Sequence, residues 1–475
     1  MEITGSCGCN ILRVVSFGKP LQQIYRIATL GSTSPILSLI LAGTLAAGVV
    51  FAQSTRNATA DEAADLRRAA ELLRSGNIDE AEPILRRVLA ANPKNPDVHN
   101  LLGVVLDQRG KTAEAEREYR AAFRFNPNNV SAMANLGVLL ARTKREAEAI
   151  SLFESVLRVT PNHPQATINL GLLYASRKDY EHAAQMLRRA NELQPNSFDV
   201  LLQLGIALYN LKRLDEAENA LRSAARVAQH SSAELSYFFG LIAFARNQDE
   251  AAGELWENAV AVKQNYPEAN FMLGELLLKH QNYERAREFY EHALQQDPTQ
   301  PVYYARLGGT YMLLRSFPRA VDVFRNATQR FPQNPELQYY LALATRGTGE
   351  YDVALSALRK SLSLKPDQVD ALALLGAILN DRGESNEAEA FLRRAIALND
   401  KHFNAHHDLG RLLVRSRRYQ EAIVFLERAA ALQPDDPDVH YQLFIALSRL
   451  RRTADADREL ATYKRLTEAQ KPKTD

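Results

Sequence analysis

Residues 301–334 read PVYYARLGGTYMLLRSFPRAVDVFRNATQRFPQN, and this stretch decides the fold. Apolar residues recur in it at three- and four-residue intervals, which is the signature of amphipathic helices. Gly308 stands in the first half, Ala320 follows twelve residues later, and Pro332 comes twelve residues after that. Because proline cannot continue a helix, Pro332 is expected to end the second one. The stretch therefore predicts two helices joined by a turn, which we call helix A and helix B.

The same pattern recurs along most of the chain. A small residue of helix A returns every 34 residues, with a single 35-residue step, at Gly103, Gly137, Gly171, Gly205, Gly240, Gly274, Gly308, Ala342, Gly376 and Gly410. The alanine of helix B forms a matching series at Ala81, Ala115, Ala149, Ala183, Ala217, Ala252, Ala286, Ala320, Ala354, Ala388, Ala422 and Ala456. A fixed period of this kind indicates a repeat architecture. The series predicts twelve repeats over residues 62–470, with a one-residue insertion near residues 229–232.

The pattern resembles that of the tetratricopeptide repeat family, which places a large residue, Leu-Gly, an aromatic residue, alanine and proline at fixed offsets. Repeat 8 matches it nearly completely, with Tyr304, Leu307, Gly308, Tyr311, Ala320, Phe324, Ala327 and Pro332. The resemblance implies an all-α fold, a right-handed superhelical solenoid of about twelve helix-turn-helix repeats. One helix pair cannot bury its apolar face alone, so neighbouring pairs stack, and helix A lines the concave face.

The segment before the repeats predicts an export signal. Residues 27–55 carry no charge, residues 36–51 are almost purely apolar, and Arg13, Lys19 and Arg26 precede them. Small residues at Val50 and Ala52 fit a signal-peptide cleavage before Gln53. Residues 1–52 are therefore predicted to be a signal peptide or, since the apolar run is slightly short for a span, an N-terminal membrane anchor. A mis-assigned start codon is a further alternative.

This leader sets the expected location and the remaining boundaries. Either main reading places the rest of the chain outside the cytoplasm, as a periplasmic or secreted protein or as one held at the membrane by its N-terminal segment. Residues 53–61 are predicted to be a linker. The last repeat is expected to end in a mostly charged capping helix, followed by a tail at residues 471–475.

Composition removes several classes of function. The 475 residues include 58 Lys and Arg against 56 Asp and Glu, and such a balance disfavours a nucleic-acid partner. Both cysteines, Cys7 and Cys9, lie in the leader, so the repeats hold no disulfide or thiolate site. The sequence contains no phosphate-binding loop, HExxH helix, GxSxG elbow or GxGxxG fingerprint. We therefore expect neither an enzyme nor a bound cofactor.

One histidine cluster requires a choice between metal binding and packing. His402, His406, His407 and Asp408 lie close together, and His440 follows one repeat later. His406 and His440 occupy a position that other repeats fill with packing residues, so only His407 and Asp408 are expected to face the groove. Packing and surface roles are the preferred interpretation, with a divalent-metal site as the alternative.

The concave groove is where a partner is expected to bind. Helix A positions that project toward it carry apolar and aromatic residues in the middle repeats, namely Tyr209, Tyr237, Phe244, Phe271, Met312 and Tyr339. Such a stripe suits an apolar or aromatic segment of a protein partner. The alternative is that these side chains pack against adjacent helices and never contact a partner.

A second candidate surface consists of amides. Asn135, Asn169 and Gln203 occupy the same position in three consecutive repeats. This series is similar to the asparagine ladder in the repeat array of the nucleocytoplasmic sugar transferase that modifies serine and threonine, where stacked amides hold the backbone of an extended peptide. Here the series is short, and the transferase's catalytic domain is missing.

These observations favour a non-enzymatic scaffold that binds protein or peptide segments in its groove outside the cytoplasm, for assembly of cell-envelope or secretion machinery. The alternative is an accessory peptide-binding subunit of a glycosyltransferase or polysaccharide export system, which the amide series suggests. Membrane contact is expected only through the N-terminal segment. The sequence leaves self-association open.

Overall fold

The computed structural model describes residues 60–469, which fall into two compact units divided after Gln264. The first unit contains twelve helices: α1 (Ala60–Arg74), α2 (Ile78–Ala91), α3 (Pro96–Gln108), α4 (Thr112–Phe125), α5 (Val130–Arg142), α6 (Glu146–Val159), α7 (Pro164–Ser176), α8 (Tyr180–Leu193), α9 (Phe198–Asn210), α10 (Leu214–Val227), α11 (Ala233–Ala245) and α12 (Asp249–Val262).

The second unit also contains twelve helices. They are α13 (Pro267–Lys279), α14 (Tyr283–Gln296), α15 (Pro301–Leu313), α16 (Phe317–Arg330), α17 (Pro335–Thr348), α18 (Tyr351–Leu364), α19 (Val369–Asp381), α20 (Ser385–Leu398), α21 (Phe403–Arg415), α22 (Tyr419–Leu432), α23 (Pro437–Arg449) and α24 (Thr453–Ala469). Odd-numbered helices are helix A and even-numbered ones helix B, so the predicted all-α arrangement of twelve helix pairs is confirmed. The right-handed sense of the superhelix stays a prediction.

Within each unit the contacts follow the order of the chain. The two helices of a pair contact each other, helix B contacts the next helix A, and consecutive A helices also touch, as α3 touches α5 and α5 touches α7. The connection from one pair to the next is short and uses the predicted proline, as when α16 ends at Arg330 and Pro332 stands two residues later. The A helices consequently lie side by side and form a continuous face within a unit.

The crossing of helices A and B requires the small residues that define the period. The helix B alanines of the series are buried, and eleven of the twelve have no exposed surface. Opposite them, the helix A glycine meets a large side chain sixteen residues later: a Cβ built on Gly137 would lie 2.9 Å from ring carbons of Phe153. Leucine takes this place opposite Gly171, Gly205, Gly376 and Gly410. Repeat 9 has Ala342 instead of glycine, and its residue sixteen positions later is also a leucine, Leu358, which is fully buried.

The turn between helices A and B imposes a second backbone constraint. One residue of this turn adopts a left-handed conformation, as Gly110 does with φ of 73° and Lys144 with φ of 63°. Glycine accepts this conformation without steric cost, whereas lysine does not. A basic residue there does lie next to the negative end of the helix A dipole, which offsets part of the strain.

The ends of the array differ slightly from the prediction. Helix α1 begins at Ala60, two residues before the predicted start, and α24 is the longest helix of the described part, with 17 residues. Five residues, 228–232, separate α10 from α11, where the extra residue was expected. The predicted leader, most of the linker and the tail lie outside the described residues. Among helices α1 to α24, none is both long and apolar enough to cross a bilayer.

The crossing geometry yields a stability prediction. We expect Gly137→Ala to lower the free energy of unfolding by about 1–3 kcal/mol, the usual range for overpacking. This loss outweighs the better helix propensity of alanine, which is worth about 1 kcal/mol. Urea unfolding followed by circular dichroism measures the change.

A double variant provides the control. Gly137→Ala combined with Phe153→Leu recreates the alanine and leucine of repeat 9, so its loss should be smaller than the sum of the two single losses. Strictly additive losses would show that contact with the Phe153 ring is not the cause.

Candidate functional site

The apolar side chains predicted to face the groove are buried. In the first unit Tyr209, Tyr237 and Phe244 are 1%, 2% and 4% exposed. The ring centroid of Tyr209 lies 6.2 Å from that of Phe238, and the ring of Phe244 lies 5.5 Å from that of Trp256. All three rings take part in helix packing.

The second unit shows the same arrangement. Phe271 packs against Tyr303 with ring centroids 5.1 Å apart, and Met312 is 2% exposed. Tyr339 packs against Tyr340, and its burial, followed by the charge of Asp370, raises its pKa well above 10. These side chains therefore pack against adjacent helices, which was the alternative that the sequence left open. Their contact with a partner stays a prediction, and any alanine variant needs a folding control.

A buried ion pair lies beside these aromatic residues, and no sequence motif predicted it. Arg306 Nε lies 2.7 Å from Glu275 Oε1, and both residues are less than 10% exposed. The Tyr290 hydroxyl donates to the same oxygen at 2.6 Å. Burial lowers the pKa of Arg306, but the charge and hydrogen bond of Glu275, together with the neighbouring Tyr290 and Tyr340, outweigh that effect and leave the pKa raised. The two residues neutralise each other, so the pair serves packing rather than catalysis.

The predicted amides stand on three successive A helices of the first unit, α5, α7 and α9. Asn135 Nδ2 of α5 donates to Asn100 Oδ1 of α3 at 3.0 Å. On α7, Gln165 Nε2 donates to Asn169 Oδ1 at 3.3 Å. Gln203 follows on α9 and is 6% exposed. We call the surface of α3, α5, α7 and α9 that carries these five residues the amide face.

Asn169 has an unusual environment on this face. It has no exposed surface, and its Nδ2 has no hydrogen-bond partner within residues 60–469. A buried donor without an acceptor destabilises a fold by about 1–3 kcal/mol. Most buried polar groups in proteins are satisfied, so an exception requires an explanation. A ligand that supplies an oxygen is one explanation, because Gln165, which covers Asn169, is only half-buried.

A cavity of about 220 Å³ opens at one end of the amide face, between α3 and α5. Asn135 lines it together with the ion pair of Asp107 and Arg142. The other lining residues are Val104, Gln108, Tyr119 and Val138. The cavity is therefore half polar and lies next to the amides.

The face also carries carboxylates. Asp97 lies in the first turn of α3, where burial raises its pKa and a 3.3 Å hydrogen bond from Asn129 partly offsets that rise. Asp199 lies in the first turn of α9, and burial alone raises its pKa. Both shifts mean that these carboxylates are less well solvated than free ones.

The histidine cluster takes packing roles. His402 caps α21, where its Nδ1 accepts a hydrogen bond from the amide of Ala405, and its Nε2 lies 3.1 Å from Asp370. His407 is 5% exposed and lies 3.1 Å from Asp438, so it does not face an open groove. Within the described residues, no three metal-ligating side chains come together.

Two members of the amide face were missed from the sequence. Asn100 stands one position before the register that carries Asn135 and Asn169, and only the structure shows that it bonds to Asn135. Gln165 stands four residues before Asn169 on the same helix, a spacing that places both side chains on one face. This four-residue spacing from Asn169 would have identified Gln165 in the sequence.

Family models match three parts of the chain. A tetratricopeptide-repeat model matches residues 72–140 and 108–173. The model of anaphase-promoting complex, cyclosome, subunit 3 matches residues 142–224. The model of the cilia and flagella-associated protein 70 C-terminal domain matches residues 241–474. No curated protein sequence matches the chain significantly.

Several solved structures are similar to the chain at low identity. PilF of Pseudomonas aeruginosa is 22% identical, with 45% of this chain and 97% of that chain covered and a TM-score of 0.40. YrrB, described as a TPR protein with an unusual peptide-binding site, is 22% identical, with 42% and 99% covered and a TM-score of 0.34. Yeast Tom70 is 14% identical, with 85% and 96% covered and a TM-score of 0.37.

The buried ion pair yields a prediction. We expect Arg306→Met to lower the free energy of unfolding by about 3–5 kcal/mol, because it leaves the Glu275 carboxylate buried and uncompensated. Adding Glu275→Gln removes that charge and keeps an acceptor for Tyr290, so the double variant should recover most of the loss. Chemical unfolding measures both, and a double variant as unstable as Arg306→Met would contradict the explanation.

A second prediction concerns pH. Burial lowers the pKa of His407, but its hydrogen bond to Asp438 and the charge of Asp408 more than compensate, and the net pKa lies above 6.5. A raised histidine pKa stabilises the fold fully below the unfolded value and ceases to do so as pH rises through the folded value. We expect the free energy of unfolding to fall as pH rises from the unfolded value of 6.5 through the raised folded value, and His407→Gln to reduce that fall. If the free energy of unfolding depends on pH identically in the unchanged protein and in the variant, His407 does not contribute to that dependence.

Proposed function

The chain is a tetratricopeptide-repeat protein, and we propose that it is a non-enzymatic scaffold whose amide face holds an extended segment of a protein partner by its main chain. Protein interaction is the general role of such arrays; the site and the mode of recognition are our proposal. The observation that carries it is the buried side chain of Asn169, whose Nδ2 has no acceptor within residues 60–469 and whose Oδ1 accepts a hydrogen bond from Gln165.

Side-chain amides suit this task chemically. Each Asn or Gln offers an NH₂ donor and a carbonyl acceptor, which are the complements of a peptide C=O and N–H. An extended segment presents these groups along its whole length whatever its side chains are. Amides on α3, α5, α7 and α9 therefore provide main-chain hydrogen bonds on four consecutive A helices, with the cavity available for one side chain of the segment.

The mode of binding sets the expected strength. A typical hydrogen bond contributes only about 0.5–1.5 kcal/mol net. Association itself costs about 4–15 kcal/mol in lost freedom of motion. A few amide contacts and one occupied cavity are therefore expected to give weak, rapidly reversible binding. A scaffold that gathers and releases partners requires binding of this kind.

We also propose that the protein acts outside the cytoplasm, on the support of the leader sequence. The match of residues 241–474 to a domain of a cilia and flagella-associated protein supports a ciliary setting instead. Protease protection of the tagged full chain in intact and opened cells distinguishes the two. Protection by an outer membrane or release to the medium fits export, and digestion only after the plasma membrane is opened contradicts it.

A second candidate is an accessory subunit of a glycosyltransferase or polysaccharide export system. The amide face favours it, because a peptide held by its main chain can be presented to a separate enzyme. A glycosyltransferase purified from the same cells should bind the protein or change its rate when the protein is added. If it does neither, this candidate is wrong.

The main proposal predicts the effect of removing two amides. Peptides selected by display on the purified full chain should bind Asn135→Ala/Asn169→Ala about tenfold more weakly, since each lost hydrogen bond contributes about 0.5–1.5 kcal/mol. Isothermal titration calorimetry measures the affinity.

The matched control is Asn128→Ala/Asn162→Ala, which removes two amides from exposed loop positions of the same unit. Its affinity should equal that of the unchanged protein. Equal binding by both double variants would show that the selected peptides use another surface.

A further inference from the structure

Two carboxylates stand at matching places on the amide face. Asp97 is the second residue of α3 and Asp199 the second residue of α9, while Ser131 and Gln165 fill that place on the helices between them. An acidic residue in a first turn is favoured by the helix dipole, so its presence alone indicates no ligand. The unsatisfied amide of Asn169, which lies between the two carboxylates in helix order, is the independent sign that something binds here.

Neither carboxylate has a cation within reach. In the part of the chain that the structure describes, no Lys, Arg or His lies within 4.0 Å of Asp97 or Asp199. Several other carboxylates of the unit are paired: Asp107 bonds to Arg142, and Glu234 lies 3.6 Å from Lys263. Asp97 is half-buried, so a cation that pairs with it gains more free energy than it would at a fully solvated carboxylate, whereas Asp199 is exposed.

The face as a whole carries excess negative charge. Its charged side chains are Asp97, Asp107, Asp199 and Arg142, three acids and one base. Because Arg142 is already bonded to Asp107, the two remaining acids have no internal counterpart. A basic segment is therefore the complementary partner, and an acidic one would be repelled.

We propose, on the basis of the proposed function, that the amide face selects an extended basic segment with one cationic side chain at Asp97 and a second at Asp199. Packed helices lie about 8–10 Å apart, so three steps from α3 to α9 span about 24–30 Å. An extended chain covers about 3.3 Å per residue, so the two cationic residues stand about seven to nine residues apart.

The amides act between these two anchors. Rotation of Gln165 away from Asn169 opens the buried amide to a main-chain carbonyl of the segment. Asn100 and Asn135 offer further donors and acceptors on the Asp97 side, and Gln203 does so on the Asp199 side. The carboxylates thus set which segments bind and in which register, while the amides accept any sequence between them.

The test uses four synthetic eleven-residue peptides of alanine and serine, titrated against the full-length protein by fluorescence anisotropy. One has lysine at positions 2 and 10, the second has two adjacent lysines, the third has glutamine and the fourth has glutamate at positions 2 and 10. We expect the spaced-lysine peptide to bind at least tenfold more tightly than the glutamine peptide, and the adjacent-lysine peptide to fall between them.

Variants complete the test. Asp97→Asn/Asp199→Asn should abolish the preference for spaced lysines and leave the affinity for the glutamine peptide unchanged. The control Asp79→Asn/Asp215→Asn removes two carboxylates that are 95% and 93% exposed and lie outside the face, and it should keep the preference.

The experiment distinguishes failure of the charge selection by Asp97 and Asp199 from failure of the proposed binding at the amide face. If spaced-lysine and glutamine peptides bind equally, or if both double variants behave alike, the charge selection is wrong and the amide proposal stands. If no peptide binds, or if Asn135→Ala/Asn169→Ala leaves every affinity unchanged, the amide face is not the site and both proposals fall.

Discussion

The close contact between a glycine of helix A and a large side chain of helix B is the constraint on which this structure depends. At Gly137 a single added carbon would lie 2.9 Å from the Phe153 ring, well inside van der Waals contact. Because this contact recurs in nine of the twelve repeats, those helix pairs share one crossing, and matching crossings let successive pairs stack in register. In repeat 9 alanine replaces the glycine, and a leucine stands sixteen residues later, as it does after Gly171, Gly205, Gly376 and Gly410.

This packing explains why the amide face is unusual. Helix A positions between the crossing and the groove carry Leu101, Phe238 or Met272 in other repeats, and all three are buried. Asn135, Asn169 and Gln203 stand at the equivalent places, where apolar residues would pack without needing partners. Polar residues there are destabilising unless they are satisfied. Asn135 is bonded to Asn100, whereas Asn169 Nδ2 has no acceptor within residues 60–469.

The sequence predicted the repeated contacts well and the single ones poorly. The Gly and Ala series predicted the helix pairs, because a pattern that is weak in one repeat becomes strong evidence when it recurs at a 34-residue period. The burial of Tyr237 and Tyr339 could not be settled in the same way, since helix A positions near the groove also pack against neighbouring helices. The bonds between Asn100 and Asn135 and between Glu275 and Arg306 join residues about a repeat apart. Asn135 and Arg306 share one repeat position, but their partners Asn100 and Glu275 stand outside that series, so only the folded structure shows the two bonds.

The most direct measurement of main-chain recognition is an amide-to-ester scan of a peptide selected on the full chain. Each ester removes one backbone N–H and weakens one carbonyl acceptor without changing the side chains. We predict that esters at several consecutive positions weaken binding, while alanine at the same positions changes affinity little, except for a side chain that occupies the cavity or contacts a carboxylate. Full affinity for every ester, with binding lost through alanine substitutions instead, would contradict recognition by the amide face.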